Sequence, residues 1–204
     1  MPLLTATGIK KLCGGVVALS NGNLTCEEGK ITGLLGTNGS GKSTITKIIT
    51  GGESKEGGNI INDGKEINFR KPNEAKMQGI SIVFQNLSLL PDLTVWQNIV
   101  LGIEEKNGLF LDNKKAIELA QSIINDLKPG MDIHKKVGEL NPGEQQITEI
   151  AKAISVRPKL LIFDEPTAAL EQEEVNSLFR YMRKLASEGV AMIFTSHRLG
   201  EVIE

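Results

Sequence analysis

The stretch Gly36-Thr37-Asn38-Gly39-Ser40-Gly41-Lys42-Ser43 constrains this chain more than any other. The apolar run Ile31 to Leu35 precedes it, and Ile45, Ile48 and Ile49 follow at helical spacing. That order requires a strand that ends in a glycine-rich turn and reopens as a helix, the setting in which the pattern G-x-x-x-x-G-K-[ST] cradles phosphate. The glycines let the loop curl so that backbone N–H groups face inward, Lys42 adds a compact positive charge, and the helix N-terminus adds its dipole. Gly36, Thr37, Asn38, Gly39, Ser40, Gly41, Lys42 and Ser43, with Thr44 in the first helical turn, are therefore the candidate phosphate-binding residues. The Ser43 hydroxyl is also the candidate ligand for the Mg²⁺ that accompanies a nucleoside triphosphate.

Hydrophobic period divides the 204 residues into three zones. Up to about Phe84, short apolar runs (Leu3 to Ile9, Lys30 to Leu35, Asn59 to Ile61, Ile80 to Phe84) alternate with glycine-rich turns and predict strands around one helix. From Asn86 to Ser155, Ala116, Ile117, Ala120, Ile123, Ile124 and Leu127 follow helical spacing, as do Ile147, Ile150, Ala151 and Ile154. This middle zone is predicted to be a helical lobe. From Lys159 onward, the apolar runs Leu160 to Phe163 and Val190 to Thr195 flank a helix over about Gln172 to Ala186, a β-α-β order that implies parallel strands. The expected fold class is α/β with a helical insertion. Lys and Arg number 23 against 25 Asp and Glu, a net charge of −2 without the basic excess of a nucleic-acid binder, so no nucleic-acid partner is expected. The longest apolar run, Val190 to Phe194, is far shorter than the ~20 residues needed to cross a bilayer. Two cysteines cannot build a disulfide framework, and a reducing cytoplasm is the expected setting.

Two further groups are predicted to reach the sheet edge that carries the glycine loop. The run Leu160 to Phe163 reads as a strand buried on both faces and ends in Asp164-Glu165, at the carboxyl end where open α/β sheets place ligands. Asp164 can support Mg²⁺ through its water shell, and Glu165 can polarise the water that attacks a γ-phosphate. The Val190 to Thr195 strand delivers Ser196-His197 to the same edge. Gln85 ends the Ile80 to Phe84 strand, where its amide oxygen could reach Mg²⁺ or the attacking water. His134 is expected to be solvated, Trp96 to anchor the helical lobe behind an N-cap at Thr94, and Cys13 and Cys26 to be core or loop residues.

The order of these motifs resembles an ATP-binding cassette (ABC) nucleotide-binding domain: the loop at Gly36, then Gln85, a helical segment, Leu140-Asn141-Pro142-Gly143-Glu144-Gln145, Leu160 to Pro166, and His197. The intervals leave no room for a long coiled-coil insert, as in transport-type cassettes. The resemblance covers nearly the whole chain. It is strongest to the first cassette of tandem monosaccharide importers, through Leu93 to Ile99, Gln145 to Ala153 and Pro166 to Leu170. It implies a P-loop NTPase core over 1–85 and 156–204, with a small N-terminal antiparallel β subdomain, and an α-helical subdomain over 86–155 that carries the signature. It also implies a peripheral ATPase on the cytoplasmic face of the cell membrane, using ATP and Mg²⁺ to drive membrane permease subunits, with a second cassette completing each site. By the resemblance, Ser43, Gln85 and Asp164 serve the metal, Gln85 also couples to the permease, Glu165 is the catalytic base, and His197 is the γ-phosphate switch. The signature residues Leu140, Asn141, Pro142, Gly143 and Glu144 would act on nucleotide held by the opposite domain.

The chain departs from that pattern at three places. Cys13 occupies the position where the family stacks an aromatic residue on adenine. The family's Leu-Ser-Gly-Gly-Gln signature has become Leu140-Asn141-Pro142-Gly143-Glu144, in which Asn141 is suited to an N-cap, Pro142 to the first helical position, and Glu144 to folding back on the cap. The sequence stops shortly after His197, so the chain reads as an N-terminal fragment of a longer protein. Two other readings stay open: a nucleotide-sensing cassette with low turnover that regulates a partner, and an importer ATPase for another small solute such as a nucleoside.

Overall fold

The computed structural model describes residues 2–37, 39–84, 86–103, 106–107, 110–198 and 200. In chain order the elements are β1 (Pro2–Cys13), β2 (Val16–Glu27), β3 (Ile31–Leu35), α1 (Lys42–Ile49), β4 (Gly57–Asn62), β5 (Lys65–Glu66), α2 (Pro72–Met77) and β6 (Ile80–Val83). They continue with α3 (Val95–Val100), β7 (Lys106–Asn107), β8 (Phe110–Leu111), α4 (Asn113–Leu127), α5 (Pro142–Ser155), β9 (Leu160–Asp164), α6 (Gln172–Ser187) and β10 (Ala191–Ser196). Two compact units result, Met1–Ile82 with Pro158–Glu165 and Leu185–Glu204, and Val83–Arg157 with Pro166–Lys184. The α/β class expected from the sequence is the class observed.

The first unit is built on two sheets. An antiparallel sheet has the order β2-β1-β4-β5, and a second sheet has the order β3-β10-β9-β6, with β10 parallel to both β3 and β9. The hairpin joining β1 to β2 pairs Cys13 with Val16 around Gly14-Gly15. Both glycines have positive φ, 55° and 87°, as the mirror-image turns of tight hairpins require. The sequence zones contained no separate prediction for β2, because Ser20, Asn21 and Asn23 interrupt its apolar alternation and most of the strand is exposed. The short helix α2 is likewise additional to the one helix predicted in that zone.

Leu4 and Ile9 of β1, Ile45, Ile48 and Ile49 of α1, and Ile60 of β4 form one core with Leu160, Ile162, Ala191 and Ile193. The alternate residues of β9 and β10 are buried too, with the Phe163 and Phe194 rings 6.4 Å apart. Both strands are therefore covered on both faces, as a continuous apolar run predicts. β3 differs: it is the sheet's edge, only β10 pairs with it among the described residues, and Ile31 and Leu35 are exposed. Cys26 is buried in the core, and burial pushes its thiol up to about 11, whereas Cys13 is exposed.

In the second unit the predicted helical spacing places Ala120, Ile123, Ile124 and Leu127 of α4, and Ile147, Ile150, Ala151 and Ile154 of α5, in the interior. Thr94 caps α3 in a reciprocal bond with Gln97. Trp96 is half-buried, and Val95, Asn98, Ile99 and Val100 of the same helix are buried. Asn98 is fully buried and fully used: its amide donates to the carbonyls of Leu90, Leu93 and Thr94 and accepts the Leu90 N–H. Glu149 of α5, also buried, accepts the N–H and the hydroxyl of Ser88, and Lys152 donates to Ser88 as well. His134 is exposed. No helix among the described residues is long and apolar enough to cross a membrane.

Candidate functional site

The phosphate loop leaves β3 at Leu35 and enters α1 at Lys42. A Cβ on Gly36 would lie 2.5 Å from the Ser40 hydroxyl, so the loop closes on itself only because that position has no side chain. Gly41 has φ +92°, and a Cβ there would lie 2.6 Å from Leu19 Cδ2 of β2. The hairpin thus braces the loop from outside. Gly41 is also the N-cap of α1, no side chain caps the helix, and its first turn carries no acid. Its leading N–H groups and its dipole are left for an anion. Lys42 is buried, and its ammonium donates to the carbonyls of Gly36 at 2.6 Å and Thr37 at 3.0 Å. An ammonium has three donors, and two of them are used by described residues. Among the described residues no acid pairs with it.

Ser43, one residue further, donates to Asp164 Oδ1 at 3.1 Å. This bond brings the loop to the end of β9, a juxtaposition the sequence placed at one edge without setting its distance. Asp164 is 4% exposed and accepts a second hydroxyl bond, from Thr195 Oγ1 at 2.8 Å. Glu165 follows with φ +52°, its N–H donating to the same Thr195 oxygen at 3.1 Å. His197 Nδ1 lies 3.5 Å from Glu165 Oε2, with the imidazole half exposed. Lys42, Ser43, Asp164, Glu165 and His197 thus converge through β3, β9 and β10. Thr195 joins them and was not singled out from the sequence; the signal for it was the parallel pairing of the last two apolar runs, which sets Thr195 opposite Asp164.

Gln85 and Asn38 lie outside the described residues. Cys13 is exposed at the end of β1, and the hairpin residues that lie against Gly41 are Leu19 and Ala18. Of the residues expected to form the signature, Leu140 precedes α5, Asn141 is its N-cap, and Pro142, Gly143 and Glu144 form its first turn, in the second unit. Asn141 Oδ1 accepts the Glu144 N–H at 2.9 Å, Glu144 Oε2 accepts the Asn141 N–H at 3.2 Å, and Pro142 stands at the first turn. The helix start is therefore closed by its own side chains. Gly143 is buried, and a Cβ on it would come within 3.0 Å of Glu174 Oε2. Glu174 pairs with Lys128 and accepts the Glu171 N–H at 3.0 Å. Burial pushes the Glu174 carboxyl up, but the Lys128 and Glu171 bonds outweigh it and hold it below its ordinary value. The Glu174 bond in turn raises Lys128.

No group of three or more His, Cys, Asp or Glu that could hold a metal occurs among the described residues. The oxygens of Ser43 and Asp164 fit Mg²⁺, which takes few protein oxygens and keeps water and phosphate in its other positions.

Residues 19–168 match the ABC transporter family. The chain is 41% identical over 203 residues to the ribose import ATP-binding protein of Rubrobacter xylanophilus, covering 100% of this chain and 41% of that protein. It is 41% identical over 202 residues to the galactose/methyl galactoside import ATP-binding protein of Sodalis glossinidius, covering 99% of this chain and 40% of that protein. The chain thus spans about two fifths of the length of these relatives. Among solved structures, it is similar to an ABC transporter cassette in its ADP conformation, with TM-score 0.85 and 28% identity over 100% of this chain and 84% of that one. Since the matched span runs from the β2 brace through the phosphate loop to the acidic strand end that meets it, this chain belongs to the ABC transporter family.

Proposed function

We propose that the chain is the nucleotide-binding motor, or the first part of one, of an importer: it binds ATP with Mg²⁺ and hydrolyses it. The work is delivered to permease subunits at the cytoplasmic face of the membrane, and a monosaccharide is the cargo. The observation that carries this reading is the Ser43 to Asp164 hydrogen bond, which joins the phosphate loop to the strand end bearing Glu165. The ribose and galactose import names of the relatives support the cargo. When bound, Mg²⁺ supplies charge neutralisation on the phosphate oxygens. Lys42 and the leading N–H groups of α1 hold the phosphates, and Ser43 and Asp164 hold the metal. Glu165 accepts a proton from the attacking water, with His197 beside it. Residues of a second cassette complete the site.

Lys42→Ala tests the reading. Its head lies on loop carbonyls rather than in the hydrocarbon core, so the variant should fold and lose Mg-ATP affinity by at least about tenfold, or ~1.4 kcal/mol. Nucleotide titrations beside melting curves measure both, and unchanged affinity in a folded variant overturns the assignment. Uptake of labelled ribose and galactose by cells carrying Lys42→Ala in the full-length protein checks the cargo. A low-turnover sensor is the second reading, favoured by the Asn141–Glu144 capping box, which occupies N–H groups at the signature. Tight ATP binding with turnover no faster than that of Glu165→Gln would support it.

A further inference from the structure

Thr195 is fully buried, yet its hydroxyl touches both members of the acidic strand end. Oγ1 donates to Asp164 Oδ1 at 2.8 Å and accepts the Glu165 N–H at 3.1 Å. The register makes this contact: β10 runs parallel to β9 with Thr195 opposite Asp164, and paired residues project from the same face of a sheet. Space-filling alone does not call for a hydroxyl there, since valine has the same shape and a buried hydroxyl is costly unless bonded. Ser43 donates to the same Oδ1, so two hydroxyls converge on one carboxylate oxygen. Oδ2 accepts no hydrogen bond from a described residue. The β-branched side chain of Thr195 is stiff about χ1, which fixes the direction from which Asp164 is held. Glu165 has φ +52°, a region that a non-glycine residue holds only with outside support, and its N–H bond to Thr195 is such support.

We propose that Thr195 is a positioning residue of the nucleotide site: it orients the Asp164 carboxylate for Mg²⁺ and fixes the Glu165 backbone so that its carboxylate stands beside His197. The inference rests on the nucleotide-motor reading above. Thr195 acts through Asp164 and Glu165, the two residues its hydroxyl bonds. It should therefore govern how strongly Mg²⁺ strengthens nucleotide binding, and leave the metal-free grip of Lys42 and the loop alone. Partners that orient a metal ligand are worth about 10 to 100-fold in metal affinity.

The test compares the parent chain with Thr195→Val and Thr195→Ser, measuring ATP binding by equilibrium dialysis in EDTA and across a Mg²⁺ titration, with melting curves alongside. Thr195→Val should bind metal-free ATP within about twofold of the parent and need about tenfold more Mg²⁺ to reach half its enhancement. Thr195→Ser, which keeps the hydroxyl, should restore the parent curve. A parent-like Mg²⁺ dependence in Thr195→Val overturns the proposal, as does an equal loss of metal-free binding, which marks a packing role only. Thr195→Ala is the second removal variant, and if neither it nor Thr195→Val folds, a role specific to the metal is overturned. A parent that does not bind ATP at all refutes the nucleotide reading itself, which separates the two failures.

Discussion

Gly36 and Gly41 are defined by what they lack. A methyl group at Gly36 would collide with Ser40, and one at Gly41 would press on Leu19 while forcing an L side chain to hold φ +92°. Left-handed backbone costs a residue with a Cβ about 1 to 2 kcal/mol. Gly41→Ala should lower unfolding stability by about that amount and weaken ATP binding, since the loop can relax only by leaving its brace. Urea unfolding and nucleotide titration check this, and a variant with parent stability and parent affinity would show that the loop does not depend on the brace. The glycine positions were legible in the sequence because the spacing of the motif encodes a backbone shape. The Thr195 contact was not, because it depends on which residue lies across from Asp164 on a neighbouring strand. Register is a property of two strands, and no single stretch of sequence carries it.

At the scale of elements, caps and periodicity carried most of the information. The reciprocal bonds of Asn141 and Glu144 at the start of α5, and of Thr94 and Gln97 at the start of α3, follow from short-range rules readable along one chain. What the sequence could not show was the approach of α6 to the start of α5, where Glu174 lies against Gly143 and pairs with Lys128. That pair has a pH signature. Glu174 is held below its ordinary value in the folded chain, so folding releases its proton, and the stability it adds is full above the unfolded carboxyl pKa. It is lost as pH falls through the lower, folded value. Glu174→Gln should therefore cost about 1 to 2 kcal/mol near neutral pH. The deficit relative to the parent should shrink below about pH 4. Melting curves of both chains across that range measure it, and a deficit independent of pH would mean that the charge on Glu174 adds nothing.

For the molecule as a whole, the sequence zones located the long helices α4, α5 and α6 and the strands that lead to Asp164 and His197, because long apolar periods outweigh local noise. They were weakest where side chains are mostly exposed, as along β2, since nothing there imposes alternation. β3 combines both conditions. It delivers the phosphate loop from a fully formed parallel pair with β10, yet no strand among the described residues pairs with its other flank, and Ile31 and Leu35 are exposed. An edge strand offers main-chain groups for pairing, and beside exposed apolar side chains it acts as an adhesive seam along which two molecules can meet. Solutions of this chain should accordingly thicken into reversible oligomers as concentration rises, seen as a growing weight-average mass in sedimentation. Ile31→Lys should keep the chain monomeric, because a charge on the seam opposes strand addition. A parent chain whose mass stays constant over the whole range would mean that the seam is already shielded.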